Sequence, residues 1–180
     1  MTVQGASLTG QIAELSLLGG HATGQVAITR TAGSNQVSLS GAASELRLSK
    51  EVAALIGIDA VAGSRIDIRG QVAGVGTQTA DIVSTLTGAV RIDLIEGGVV
   101  RDGAAGAVGQ LIDTTLQRQS DGATATGRPL TIDALTAELQ LGGGKAFARA
   151  FELTLGGERL AGRGTVGLAD SAIDLQIWQV

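Results

Sequence analysis

Aliphatic and polar residues alternate with a period of two through most of this chain, and this restricts the fold more than any other feature. From Arg65 to Val72, Ile66, Ile68 and Val72 point one way and Arg65, Asp67, Arg69 and Gln71 the other. Val90, Ile92 and Leu94 alternate with Arg91 and Asp93; Leu135, Ala137, Leu139 and Leu141 alternate with Thr136, Glu138 and Gln140. Phe151, Leu153 and Leu155 oppose Glu152 and Thr154, and Leu160, Gly162, Gly164, Val166 and Leu168 oppose Arg159 and Arg163. Ile173, Leu175 and Ile177 oppose Asp174, Gln176 and Trp178. Earlier, Val26 with Ile28, Val37 with Leu39, and Leu46 with Leu48 repeat the pattern in shorter pieces. Strands with one apolar side belong to antiparallel meanders rather than to doubly covered parallel sheets.

Glycine pairs and clusters punctuate the strands at Gly19-Gly20, Gly33-Ser34-Asn35, Gly97-Gly98, Gly142-Gly143-Gly144 and Gly156-Gly157, as hairpin turns require. Gly70, Gly74, Gly162 and Gly164 fall inside strands, where they permit bends, so the sheet is expected to curve. Three segments break the alternation and are predicted helices: Ser49–Ile56, Thr79–Thr87 closing at Gly88, and 104–117. In the last, Val108, Leu111, Ile112 and Leu116 form an amphipathic stripe. Ser120 to Arg128 reads as a polar linker into Pro129 and four final strands. The expected fold is mainly β with short helices: one domain over residues 1–180, built on a curved, groove-like antiparallel sheet with one amphipathic helix near 104–117.

Composition removes several function classes. The chain is 44% hydrophobic, with 28 glycines, two phenylalanines and one tryptophan, so Ala, Val, Ile and Leu supply nearly all its apolar surface. That is not the composition of a disordered chain. Without cysteine there is no disulfide scaffold and no thiolate metal site. A net charge of −4 is the wrong sign for nucleic acid. No apolar run approaches the roughly 20 residues of a membrane-spanning helix. Met1-Thr2-Val3-Gln4-Gly5 lacks the basic start and apolar stretch of a signal peptide, which fits either a cytoplasmic chain or one continued upstream.

The motifs that carry chemistry fail on context. Gly162-Arg163-Gly164-Thr165-Val166-Gly167 spells the dinucleotide fingerprint, but it lies within an alternating strand and no helix follows. Gly142-Gly143-Gly144-Lys145 lacks the first glycine and the final Ser or Thr of a phosphate loop. Gly103, Gly106 and Gly109 could offer backbone N–H groups to an anion, but flexibility before a helix accounts for them. His21, the single histidine, is predicted to lie in a turn beside Gly19-Gly20, without a clustered partner. Asp67, Asp93, Glu138, Glu152 and Asp174 occupy polar strand faces, where solvation explains them better than acid–base work. Trp178 fits an edge or a membrane interface equally well. No catalytic residue, metal ligand or cofactor site is expected.

Toward its C-terminal half the sequence resembles the AsmA-like family. Asp81 to Ile92 is similar to that family's helix, L-x-G and strand element, although Glu96 to Val100 replaces its usual turn. Leu130 to Ala137 resembles its t-x-F-x-x-L-x-A strand, with Ile132 in place of Phe. Leu160 to Leu168 matches x-G-x-G-x-V-x-L, followed by Ile173-Asp174-Leu175 in the l-D-l position. The likeness covers about residues 45–178 and departs at Val100 to Gly109, where the family's G-[IV]-D-L helix start is missing. It implies the C-terminal part of a longer protein anchored in a Gram-negative inner membrane, with its body on the periplasmic side. It also implies a taco-like β groove serving phospholipid transfer and outer-membrane assembly.

The residues give that implication a mechanism. Bringing two acyl tails through water costs on the order of 20 kcal/mol at about 0.8 kcal/mol per CH₂. An aliphatic face removes most of that cost without a catalytic group. The candidate lipid-binding residues are Ile66, Ile68, Val72, Val90, Ile92, Leu94, Leu139, Leu141, Leu153, Leu155, Val166, Leu168, Ile173, Leu175 and Ile177. The expected partners are phospholipid or another lipid and the envelope membranes, with no nucleic acid. The alternative is a structural or adhesive β-solenoid-like surface protein, which shares the Gly- and Ala-rich, Cys-free composition.

Overall fold

A computed structural model describes residues 6–31, 33–49, 63–96, 99–100, 130–155, 157–169 and 172–180. Among the described residues ten strands follow one another: β1 (Ser7–Leu17), β2 (Gly20–Thr31), β3 (Ser34–Arg47), β4 (Arg65–Gly76), β5 (Thr87–Glu96), β6 (Val99–Val100), β7 (Leu130–Gly142), β8 (Lys145–Leu155), β9 (Glu158–Gly167) and β10 (Ile173–Gln179). A short helix, α1 (Thr79–Ser84), joins β4 to β5. Nine strands form a single open antiparallel sheet in the order β1-β2-β3-β4-β5-β7-β8-β9-β10, and β6 pairs with the start of β7. The expected curved antiparallel sheet is present.

Cross-strand register shows why the alternation matters. Leu46, Ile66, Leu94, Leu135, Leu153 and Leu160 stand opposite one another in turn across six strands. All but the half-buried Leu135 are buried. This row is the spine of the core, which Leu48, Ile132, Ala148, Phe151 and Leu155 join. Neighbouring rows on the same face carry Ile68, Ile92, Ala137, Phe151, Gly162 and Ile177, and then Gly70, Val90, Leu139, Ala148, Gly164 and Leu175. The strands around this spine therefore agree on which face is apolar.

Several sequence expectations need correction. The helix predicted over Thr79–Thr87 ends at Ser84, and Gly88 belongs to β5. The Thr85 hydroxyl donates to the Val75 carbonyl at 2.6 Å and accepts from the Val75 N–H at 2.9 Å, which draws the chain out of the helix onto β4. The separate pieces Val37–Leu39 and Leu46–Leu48 are one 14-residue strand with a bulge between Ala43 and Leu46, and Leu48 lies just past its end. At that bulge Glu45 takes a positive φ of 57°, and its N–H donates to Asp67 Oδ1 at 2.7 Å. His21 lies in β2 rather than in a turn, with Nδ1 3.3 Å from Glu14 Oε1. Leu168 falls in the turn after β9 and donates its N–H to the Gly144 carbonyl at 2.9 Å. The predicted helices over Ser49–Ile56 and 104–117, the linker Ser120 to Arg128, Pro129 and the Gly97-Gly98 turn lie wholly or almost wholly outside the described residues.

Candidate functional site

The apolar face has two ends of different character. Around β5, β7, β8 and β9 the aliphatic side chains pack into the core, with Leu94 and Leu155 each 3% exposed. Around β1 to β4 most do not, the buried Leu46 and Ile66 excepted. Leu8, Ile12, Leu15 and Leu17 of β1, Ile28 of β2, Leu39 of β3 and Ile68 of β4 are 36 to 66% exposed. Register makes them neighbours. Leu8 faces Ile28, Ile12 faces Gly24, Leu15 faces Ala22, and Leu39 sits between Val26 and Val72. Gly24, Gly41 and Gly70 stand in line between these side chains, so backbone forms the floor there. Together they form a run of exposed aliphatic side chains on one face of the sheet.

The sequence-predicted lipid residues divide accordingly. All except Leu168 occupy strand positions on one face. Ile66, Leu94, Leu153 and Leu155 are buried members of the core and hold the sheet instead of offering free surface. Val72, Val90, Ile92, Leu139, Leu141, Val166, Leu175 and Ile177 are half-buried, and Ile68 is exposed. Ile173 pairs with Val166 in register. The exposed aliphatic residues of β1, with Ile28 and Leu39, escaped sequence reasoning. The signal was present as Leu8, Gly10 and Ile12, then Leu15 and Leu17, but a register shift between Ile12 and Leu15 breaks the period of two.

The opposite face is mainly polar and ionic, with Val75, Phe147 and Trp178 exposed among the polar side chains. Arg91 Nε lies 2.8 Å from Asp93 Oδ2, and Arg91 Nη1 lies 2.9 Å from Glu138 Oε1 on β7. The Thr136 hydroxyl adds a 3.0 Å hydrogen bond to Asp93 Oδ1. The Arg91 hydrogen bonds, with help from Thr136 and the charges of Arg91 and Arg69, hold the Asp93 carboxyl below the usual carboxylate range. Asp93 is thus kept ionised, whereas a general acid needs the reverse. Among the described residues no three of His, Cys, Asp and Glu converge as metal ligands would. No described helix is long and apolar enough to cross a membrane.

Two shallow grooves lie on this polar side, not on the apolar one. The smaller, about 420 Å³, includes Gln11, Gln25, Ser38, Ser40 and Gln71 in its wall. The larger, about 820 Å³, shares Ser40 and Gln71 and extends to Arg69, Arg91, Glu138, Gln140 and Arg149.

The chain matches no family model, no curated protein and no solved structure.

Proposed function

We propose that this chain is a lipid-handling domain of the AsmA-like type, working at the periplasmic side of a Gram-negative inner membrane in phospholipid transport and outer-membrane assembly. It acts by binding, without catalysis or cofactor. One observation supports this above all: the apolar face carries seven large aliphatic side chains left 36 to 66% exposed over β1 to β4. Covering such a surface with acyl chains recovers about 25 cal/mol for each Å² removed from water. The lining is aliphatic and glycine-rich, which suits flexible tails of varied length better than one rigid ligand. The core row anchors the other end of the same face, so the exposed end is held by a packed sheet.

Native mass spectrometry of gently purified protein tests the proposal. Adducts with phospholipid masses are expected, directly or after incubation with phosphatidylethanolamine–phosphatidylglycerol vesicles. Protein that stays lipid-free in both preparations would overturn it.

A further inference from the structure

We infer that the polar face holds a second binding site, for a linear glycan laid across the strands. The two grooves meet at Ser40 and Gln71, so they form one continuous trough from β1 to β8. A single cross-strand row runs along it: Gln11 faces Gln25, Gln25 faces Ser40, Ser40 faces Gln71, and Gln71 is linked through Ala89 to Gln140. On β8 the row reaches Phe147, opposite Gln140, and continues through Thr165 to Asp174.

The chemistry of this row is specific. Each glutamine amide offers both donors and an acceptor, the complement of a sugar hydroxyl, which also does both. Those of Gln11, Gln25 and Gln71 make no side-chain hydrogen bond within the described protein, whereas Gln140 Nε2 donates to the Gly88 carbonyl at 2.8 Å and keeps its oxygen free. Strands repeat at about 4.8 Å, close to the length of one sugar ring, so successive positions of the row meet successive rings. Six such steps separate β1 from β8, roughly 29 Å along the surface and the span of about six sugars. Ala89 leaves the middle of the row low. Phe147 is the second observation, independent of the amides. It is 40% exposed beside Gln140, just outside the groove walls, on a face that also exposes Val75 and Trp178. An exposed aromatic ring suits stacking against the apolar side of a pyranose.

The full chain should be titrated with a β-1,4-linked glucose hexasaccharide and, separately, with the N-acetylglucosamine hexasaccharide, followed by amide NMR shifts and calorimetry. Saturable binding of at least one is expected, with shifts confined to the polar-face row. The double variant Gln25→Ala/Gln71→Ala should weaken binding about tenfold through two lost hydrogen bonds. Phe147→Ala should weaken it independently, and Phe147→Tyr should restore it. Far-UV circular dichroism confirms that each variant keeps its sheet. Absence of saturable binding by both sugars, or equal binding by the folded double variant, would overturn the inference. Neither outcome touches the lipid proposal, which concerns the other face.

Discussion

Phe151 and Gly162 face each other across the β8–β9 pair, and the phenyl ring occupies the space where a side chain at position 162 would stand. A Cβ placed on Gly162 would come within 2.6 Å of the ring's Cε1 and 2.7 Å of the Gln176 carbonyl on β10. The glycine of the apparent dinucleotide fingerprint is therefore a packing residue. Gly162→Ala should destabilise the sheet by about 1–3 kcal/mol through overpacking. Phe151→Ala, at a buried site, should cost about 3–5 kcal/mol. Because the residues touch, the double variant should lose less than the sum of the two. Urea unfolding of the three variants measures this, and strictly additive losses would contradict the contact.

The β1–β2 hairpin closes through Leu18 and Gly19, at φ 51° and 77°. Two positive φ values in a two-residue loop define a turn that favours Asn-Gly, and leucine is strained in the first position. Leu18→Asn should raise stability by about 1 kcal/mol. A lowered melting temperature would show that burial of the half-buried Leu18 side chain outweighs the strain.

Asp81 and Asp93 both titrate below the usual carboxylate range. For Asp81 the cause is the Thr77 hydroxyl first, then the backbone N–H groups of Gln78 and Thr77; for Asp93 it is Arg91 first. A native value below the unfolded one means stabilisation that is complete above about pH 4 and lost as pH falls through the lower native values. Stability should therefore decline on acidification from about pH 4. Asp93→Asn should be less stable at pH 7 and lose less on acidification. An unchanged slope in that variant would remove Asp93 from the acid response.

Leu39→Glu places a carboxylate in the middle of the exposed aliphatic patch, while Ser38→Glu places one on the neighbouring, opposite side of β3. Both positions are accessible, so neither change should move stability by more than about 0.5 kcal/mol. Vesicle-extracted phospholipid should fall sharply for Leu39→Glu and stay unchanged for Ser38→Glu.

Strands with unbroken alternation, such as β4 and β9, were legible from their residues alone. β1 was not, because the register shift between Ile12 and Leu15 divides its aliphatic residues into two phases. The end of α1 was misplaced because Ile82, Val83 and Leu86 continue the helical spacing, while the Thr85–Val75 hydrogen bonds that end it join residues ten apart. For the candidate site, the composition of the apolar face was readable, but not which part is buried. Ile66 and Ile68 look alike in sequence, yet one lies in the core row and the other is 37% exposed. The amide row on the polar face needs register across seven strands, which no local pattern reports.

Lipid contact can be tested most directly by comparing adjacent positions on β3. A photo-crosslinking residue introduced at Leu39, and separately at Ser38, is irradiated with the full chain in phosphatidylethanolamine–phosphatidylglycerol vesicles. Phospholipid adducts at position 39 and none at position 38 are expected. Equal labelling at the two positions, or none at position 39 in folded protein, would contradict lipid binding on the apolar face.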